Sequence, residues 1–256
     1  MDLHGASVVI AGGKRIGAGL AEQLARRGAK LTLSYLHSRD EIESCAETCR
    51  GLGAEVQTVS SDLRDPEQAE ALISASVQRF GRVDVLICLA SIYRETKFAD
   101  LTPADYDDML ASNLTAPYHT AIAAAKAMQS QSLRGGLHGK IVFFTDWAVD
   151  RPYRHHLPYL VAKGGLVTLT KALAVELAPT ILVNAVAPGT VLPPANKPTA
   201  ELEQIAAGSL LQRIGTPEDV QRLVLYLLEG TDFASGEIYR VDGGRFLGPS
   251  QTDVAD

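Results

Sequence analysis

The order of residues predicts one doubly wound α/β domain over residues 1–256, a seven-stranded parallel sheet with helices on both faces. Three observations carry that reading. Short apolar, β-branched runs recur along the chain, longer stretches with helical spacing separate them, and no Pro/Gly-rich linker interrupts the alternation.

Residues 7–11, 31–35, 56–60, 83–89, 140–145 and 181–187 read as the first six strands, and 237–241 as the seventh. Residues 17–27, 40–52, 66–80, 103–131 and 158–177 read as helices, and 216–229 as the helix before the last strand. Several helices open with proline, which a first turn tolerates because the missing N–H has no intrahelical partner there. The proline-rich stretch 192–198 reads as a loop over a cleft. In such a sheet ligands bind beyond the carboxyl ends of the strands, where strand order reverses.

Composition narrows the function. An apolar content of 46% with 21% charged residues argues for a packed globular chain, without low-complexity tracts or repeats. The net charge of −6, with Lys and Arg scattered, excludes a polyanion footprint, so no nucleic-acid partner is expected. Residues 1–11 lack a basic leader, and no apolar stretch approaches the roughly 20 residues that span a bilayer; a cytoplasmic protein without membrane contact is expected. Three cysteines cannot all pair, and Cys45 and Cys49 sit i,i+4 in a helix without a second pair to complete a metal site. They read as packing residues, as does Cys88, and no metal is expected.

After the first run stands Gly12-Gly13-Lys14-Arg15-Ile16-Gly17, leading into a helix. Glycines there let backbone N–H groups approach a pyrophosphate at the positive end of a helix. A short glycine motif also suits a tight turn, but its place in the first βαβ unit favours dinucleotide binding and a Rossmann-type domain. The second strand ends at Ser34-Tyr35 without the carboxylate that would hold a free ribose 2′-hydroxyl, and His37, Ser38 and Arg39 follow. Arg15 adds a second guanidinium suited to a 2′-phosphate. NADPH/NADP is therefore the expected cofactor; the alternative for both arginines is a solvated surface. Asp62-Leu63, beyond the third strand, either flanks the adenine ring or caps a turn.

Tyr159 and Lys163 stand i,i+4, so both emerge on one helical face. A phenol with a reference pKa of about 10 exchanges protons poorly at neutral pH, and a nearby cation favours its anion.

With these motifs in place the chain resembles the short-chain dehydrogenase/reductase family over nearly its whole length. The resemblance runs through Gly12–Gly17, Asp62-Leu63, Cys88-Leu89-Ala90-Ser91, Asn113, Tyr159/Lys163, Asn184, Pro188-Gly189 and Val241-Asp242-Gly243-Gly244. It implies that Tyr159 protonates the substrate, that Lys163 holds the nicotinamide ribose and lowers the tyrosine pKa, and that Asn113 anchors a proton-relaying water. Pro188-Gly189 would pass beside the nicotinamide, and a homotetramer built through residues 103–131, 158–177 and the last strand is implied.

Departures from the family pattern sharpen the reading. Most members carry a serine thirteen residues before the tyrosine; here Asp146 stands there, and an ionised carboxylate accepts hydrogen bonds but cannot donate one. It suits a substrate offering N–H groups. The pteridine and dihydromonapterin reductases share that aspartate, a loop like Lys14-Arg15-Ile16-Gly17 and a strand end like Ala90-Ser91. In pteridine reductases an aromatic ring after that pair stacks the pterin, and Tyr93 falls at the place; the alternative is a loop aromatic. Trp147 either lines the same pocket or packs the core. The glycine loop is one residue shorter than usual, leaving open which family glycines Gly12 and Gly13 match, and Cys88-Leu89 replaces paired asparagines. Reduction of a pterin C=N is expected, with Asp146, Tyr159, Lys163 and Asn113 catalytic and Ser91, Tyr93 and Trp147 at the substrate. The alternatives are a carbonyl reductase, such as a 3-oxoacyl-[acyl-carrier-protein] reductase, and a catalytically silent dinucleotide sensor or scaffold.

Overall fold

A computed structural model describes residues 1–12, 14–193 and 197–248. Gly13 and residues 194–196 of the expected cleft loop lie outside the described residues. The strands are β1 (Ser7–Ala11), β2 (Lys30–Tyr35), β3 (Val56–Ser60), β4 (Val85–Cys88), β5 (Gly139–Phe144), β6 (Ile181–Pro188) and β7 (Ile238–Val241). They form one sheet in the order β3-β2-β1-β4-β5-β6-β7, every pair parallel. Strand order reverses between β1 and β4, which places the glycine loop and Ala90 at the switch point.

Side chains alternate across each central strand, and both faces are covered. Val8, Ile10, Leu33, Ile87 and Phe144 pack toward α1 (Ile16–Ala25), α2 (Arg39–Gly51) and α8 (Pro217–Leu225). Val9, Ala11, Leu86, Cys88 and Phe143 pack toward α3 (Pro66–Phe80), α5 (Ala116–Gln129) and α6 (Leu157–Glu176). Double burial is why β4 and residues 141–144 of β5 read as unbroken apolar runs instead of alternating ones. Cys45, Cys49 and Cys88 are all buried in these layers as free thiols. No described helix is long and apolar enough to cross a membrane.

Two expectations are corrected. The helix expected over residues 103–131 is three segments: α4 (Pro103–Leu110), a π-turn at Ala111–Thr115, and α5. Pro117 cannot donate to the Asn113 carbonyl, and the Asn113 Nδ2 donates to Met109 O at 3.1 Å, competing with the backbone donor that an α-turn would use. The helix expected over 216–229 likewise ends as α8 and passes into a π-turn at Tyr226–Gly230. A further helix, α7 (Thr199–Ala207), was not expected; its short apolar stripe, Leu202, Ile205 and Ala206, is only partly buried.

Candidate active site

Gly12 follows β1 with φ +76°, its N–H donating to Ser34 Oγ at 2.9 Å. A Cβ at Gly12 would lie 2.7 Å from the Ala90 Cα, so the loop passes against the end of β4 only because the residue has no side chain. Gly12→Ala is expected to cost about 1–3 kcal/mol of stability through backbone strain and overpacking, and to weaken dinucleotide binding. Denaturant melts and a cofactor titration measure both; an unchanged midpoint would show that the loop has room.

The first turn of α1 opens toward this loop without a side-chain cap, and its N-cap residue is Arg15, at φ +62°. Uncapped N–H groups at a helix start, with exposed Lys14 and Arg15 beside them, fit a diphosphate. Lys14 is already engaged, its Nζ 2.6 Å from Glu41 Oε1. Among the described residues Arg15 and Arg39 make no ion pair; both are exposed, as is His37 shortly after β2. Ser38 is the N-cap residue of α2. Ser34 is buried with its hydroxyl spent on the glycine loop. Asp62 is drawn to Arg64, Oδ2 to Nη2 2.6 Å, which holds its carboxyl below the usual range; Oδ1 also accepts the Arg64 N–H at 3.1 Å, a turn-capping contact. Leu63 is buried in the core.

At the other side of the switch point, β5 ends at Phe144 and leads through Thr145 to Asp146. Asp146 caps the short 3₁₀ turn Trp147–Val149, Oδ1 accepting from Ala148 N–H at 2.8 Å. The buried face of α6 carries Tyr159 and Lys163. The Tyr159 hydroxyl donates to Asp146 Oδ2 at 2.8 Å, and Lys163 Nζ donates to Phe144 O at 2.8 Å, 5.6 Å from the Tyr159 ring centre.

Burial pushes the Asp146 carboxyl above its usual range, against the Ala148 N–H, the Tyr159 hydroxyl and Lys163. Burial pushes Lys163 down to about 8, against the pull of Asp146. Burial first, then the charge of Asp146, raises the Tyr159 hydroxyl well above the usual phenol value.

Asn113 is buried at the π-turn, its Oδ1 accepting from Ser91 Oγ at 2.5 Å. Ser91 and Ala90 follow β4, and Tyr93 stands edge-on to Tyr159, ring centres 5.0 Å apart. Trp147 packs in the small core cluster that holds Tyr159, beneath the guanidinium of Arg245 at 5.0 Å. Gly189, after Pro188, donates its N–H to Val241 O at 2.9 Å, and a Cβ there would meet the Asp242 Cα at 2.7 Å. Tyr153, His156 and Arg245 join the site without having been singled out; the polar-aromatic run Tyr153-Arg154-His155-His156 just before Tyr159 was the available signal.

A family model for enoyl-(acyl carrier protein) reductases matches residues 10–245. Versicolorin reductase 1 of Aspergillus parasiticus is 30% identical over 94% of this chain and 95% of its own length. L-Rhamnose 1-dehydrogenase (NAD(P)(+)) of Azotobacter vinelandii is 31% identical over 94% and 96%. A solved short-chain dehydrogenase/reductase from Serratia marcescens superposes with a TM-score of 0.87 at 28% identity, covering 96% of this chain and 100% of that one.

Proposed function

The chain belongs to the short-chain dehydrogenase/reductase family, and from that premise we propose that it uses NADPH to reduce a conjugated C=N bond of a reduced pterin. The observation that carries this reading is the Asp146 carboxylate 2.8 Å from the Tyr159 hydroxyl. An acceptor stands where a carbonyl substrate would want a donor, next to a phenol that can give up a proton. A reduced nicotinamide, when bound, supplies the hydride to carbon. Asp146 accepts ring N–H groups and sets the orientation of the heterocycle. Tyr159 delivers the proton to nitrogen, so C=N becomes CH–NH with charge balanced. Its raised pKa keeps it protonated until that transfer. Lys163, at about 8, is still mainly a cation at pH 7 and stabilises the phenolate that remains.

The phosphate preference rests on Arg15 and Arg39, since Lys14 is neutralised by Glu41. Arg15→Ala with Arg39→Ala is expected to narrow the NADPH over NADH ratio of kcat/KM by about ten- to a hundredfold, the worth of a charge-assisted contact. An unchanged ratio would place the 2′-phosphate elsewhere. A cytoplasmic homotetramer belongs to the same reading, supported by exposed Tyr118, Val161 and Val175 on α5 and α6.

Carbonyl reduction is the second reading, favoured by relatives whose names carry versicolorin and L-rhamnose, neither of them a pterin. One assay separates the two: NADPH oxidation with dihydrobiopterin or dihydromonapterin beside an acetoacetyl thioester. Oxidation with the thioester alone rejects the pterin.

A further inference from the structure

Tyr159 is 6% exposed, whereas Tyr93, whose ring stands edge-on to it, is 58% exposed. Tyr93 lies on the loop after β4, yet its ring is held from the segment that leads into α6. His156, the residue just before α6, stacks on it with ring centres 4.5 Å apart and planes 16° from parallel. The imidazole is itself oriented, Nδ1–H donating to Arg154 O at 3.1 Å with Tyr153 edge-on at 5.0 Å. The Tyr153 hydroxyl completes the contact by a hydrogen bond to the Tyr93 hydroxyl at 3.1 Å. The same two loops are joined through the backbone, where Thr96 N–H donates to His155 O at 2.7 Å. His155 holds φ +67°, a conformation that a non-glycine residue keeps only where its surroundings impose it.

We propose that His156 is a positioning residue that fixes the Tyr93 ring relative to Tyr159 and so presets the aromatic edge of the site against which a planar substrate ring is received. The substrate in this proposal rests on the pterin reading. His156 occupies one face of Tyr93, so a heterocycle stacks on no more than the other. Because His156 directly precedes α6 and Tyr159 lies in its first turn, the ring that receives the substrate and the phenol that protonates it are held by one segment. An aromatic platform ordered before binding loses less freedom on binding than one that must be captured. A small aliphatic ketone gains nothing from it.

His156→Ala should raise KM for a dihydropterin about three- to tenfold, the worth of one aromatic pair, with little change in kcat. His156→Phe, which keeps a flat ring without an ionisable nitrogen, should restore the wild-type KM. KM for an acetoacetyl thioester should stay where it was. Equal losses on both substrates, or no rescue by phenylalanine, would overturn the proposal. Should the wild type oxidise NADPH with no pterin, the substrate reading fails by itself, and proton NMR then decides the role of His156. Its ring protons should lie upfield through the Tyr93 ring current and move back in Tyr93→Leu; no such movement refutes the stacked arrangement.

Discussion

Tyr159→Phe is expected to lower kcat by about 10²–10⁴-fold, the usual contribution of a placed general acid, while NADPH affinity stays near wild type. Among the described residues the phenol makes its one side-chain hydrogen bond to Asp146, so its removal leaves the contacts of the glycine loop and the Lys163 hydrogen bond untouched. It also strips Asp146 Oδ2 of a donor. A buried acceptor without its partner costs about 1–3 kcal/mol, so a modest loss of stability should accompany the loss of turnover. Stopped-flow turnover and fluorescence titration of NADPH separate the two effects. A large fall in cofactor affinity would contradict the role given to Tyr159.

Asp146→Ser should shift preference from pterins toward ketones by about ten- to a hundredfold in the ratio of kcat/KM, because a hydroxyl can donate to a carbonyl and a carboxylate cannot. Equal losses on both substrate types would remove the argument from the carboxylate. The same variant tests the electrostatics. Asp146 has a folded-state pKa above its unfolded one, mainly through burial, so the folded chain binds more protons than the unfolded chain between those two values. Stability contributed by this group therefore falls as pH rises through that window, and its cost is fully present above it. Asp146→Ser, which retains an oxygen to cap Ala148, removes that cost. The variant should be at least as stable as wild type at pH 7, with the advantage shrinking below the ordinary carboxylate range. Thermal melts across pH read this directly. A site that trades stability for a poised carboxylate is a common arrangement in enzymes.

Much of the fold was legible because its signals are local. The β1, β3 and α3 boundaries coincide with the expected ones, where apolar runs end at glycine, proline or polar residues. The π-turn around Asn113 was not legible, since helical spacing continues through it and only the side-chain competition at Met109 O breaks the ladder. Helix α7 was invisible for the opposite reason: its apolar stripe is short and only partly buried. At the site, the i,i+4 spacing placed Tyr159 and Lys163 on one face, but not the groups that surround the Tyr159 hydroxyl. The direction of its pKa shift depends first on burial and then on Asp146, which arrives from the end of another element.

The chain's residue types and periodicities by themselves determined a doubly wound parallel sheet, a glycine loop at its switch point and a tyrosine–lysine helix face. Each of these follows from backbone sterics and from burial acting over a few neighbouring residues. Only the folded structure decided that Glu41 takes Lys14, that Ser34 holds Gly12, that Asp146 accepts the Tyr159 hydrogen bond and that His156 carries Tyr93. Those choices join residues from different elements, and whether two such groups meet depends on how layers pack, which no local pattern encodes.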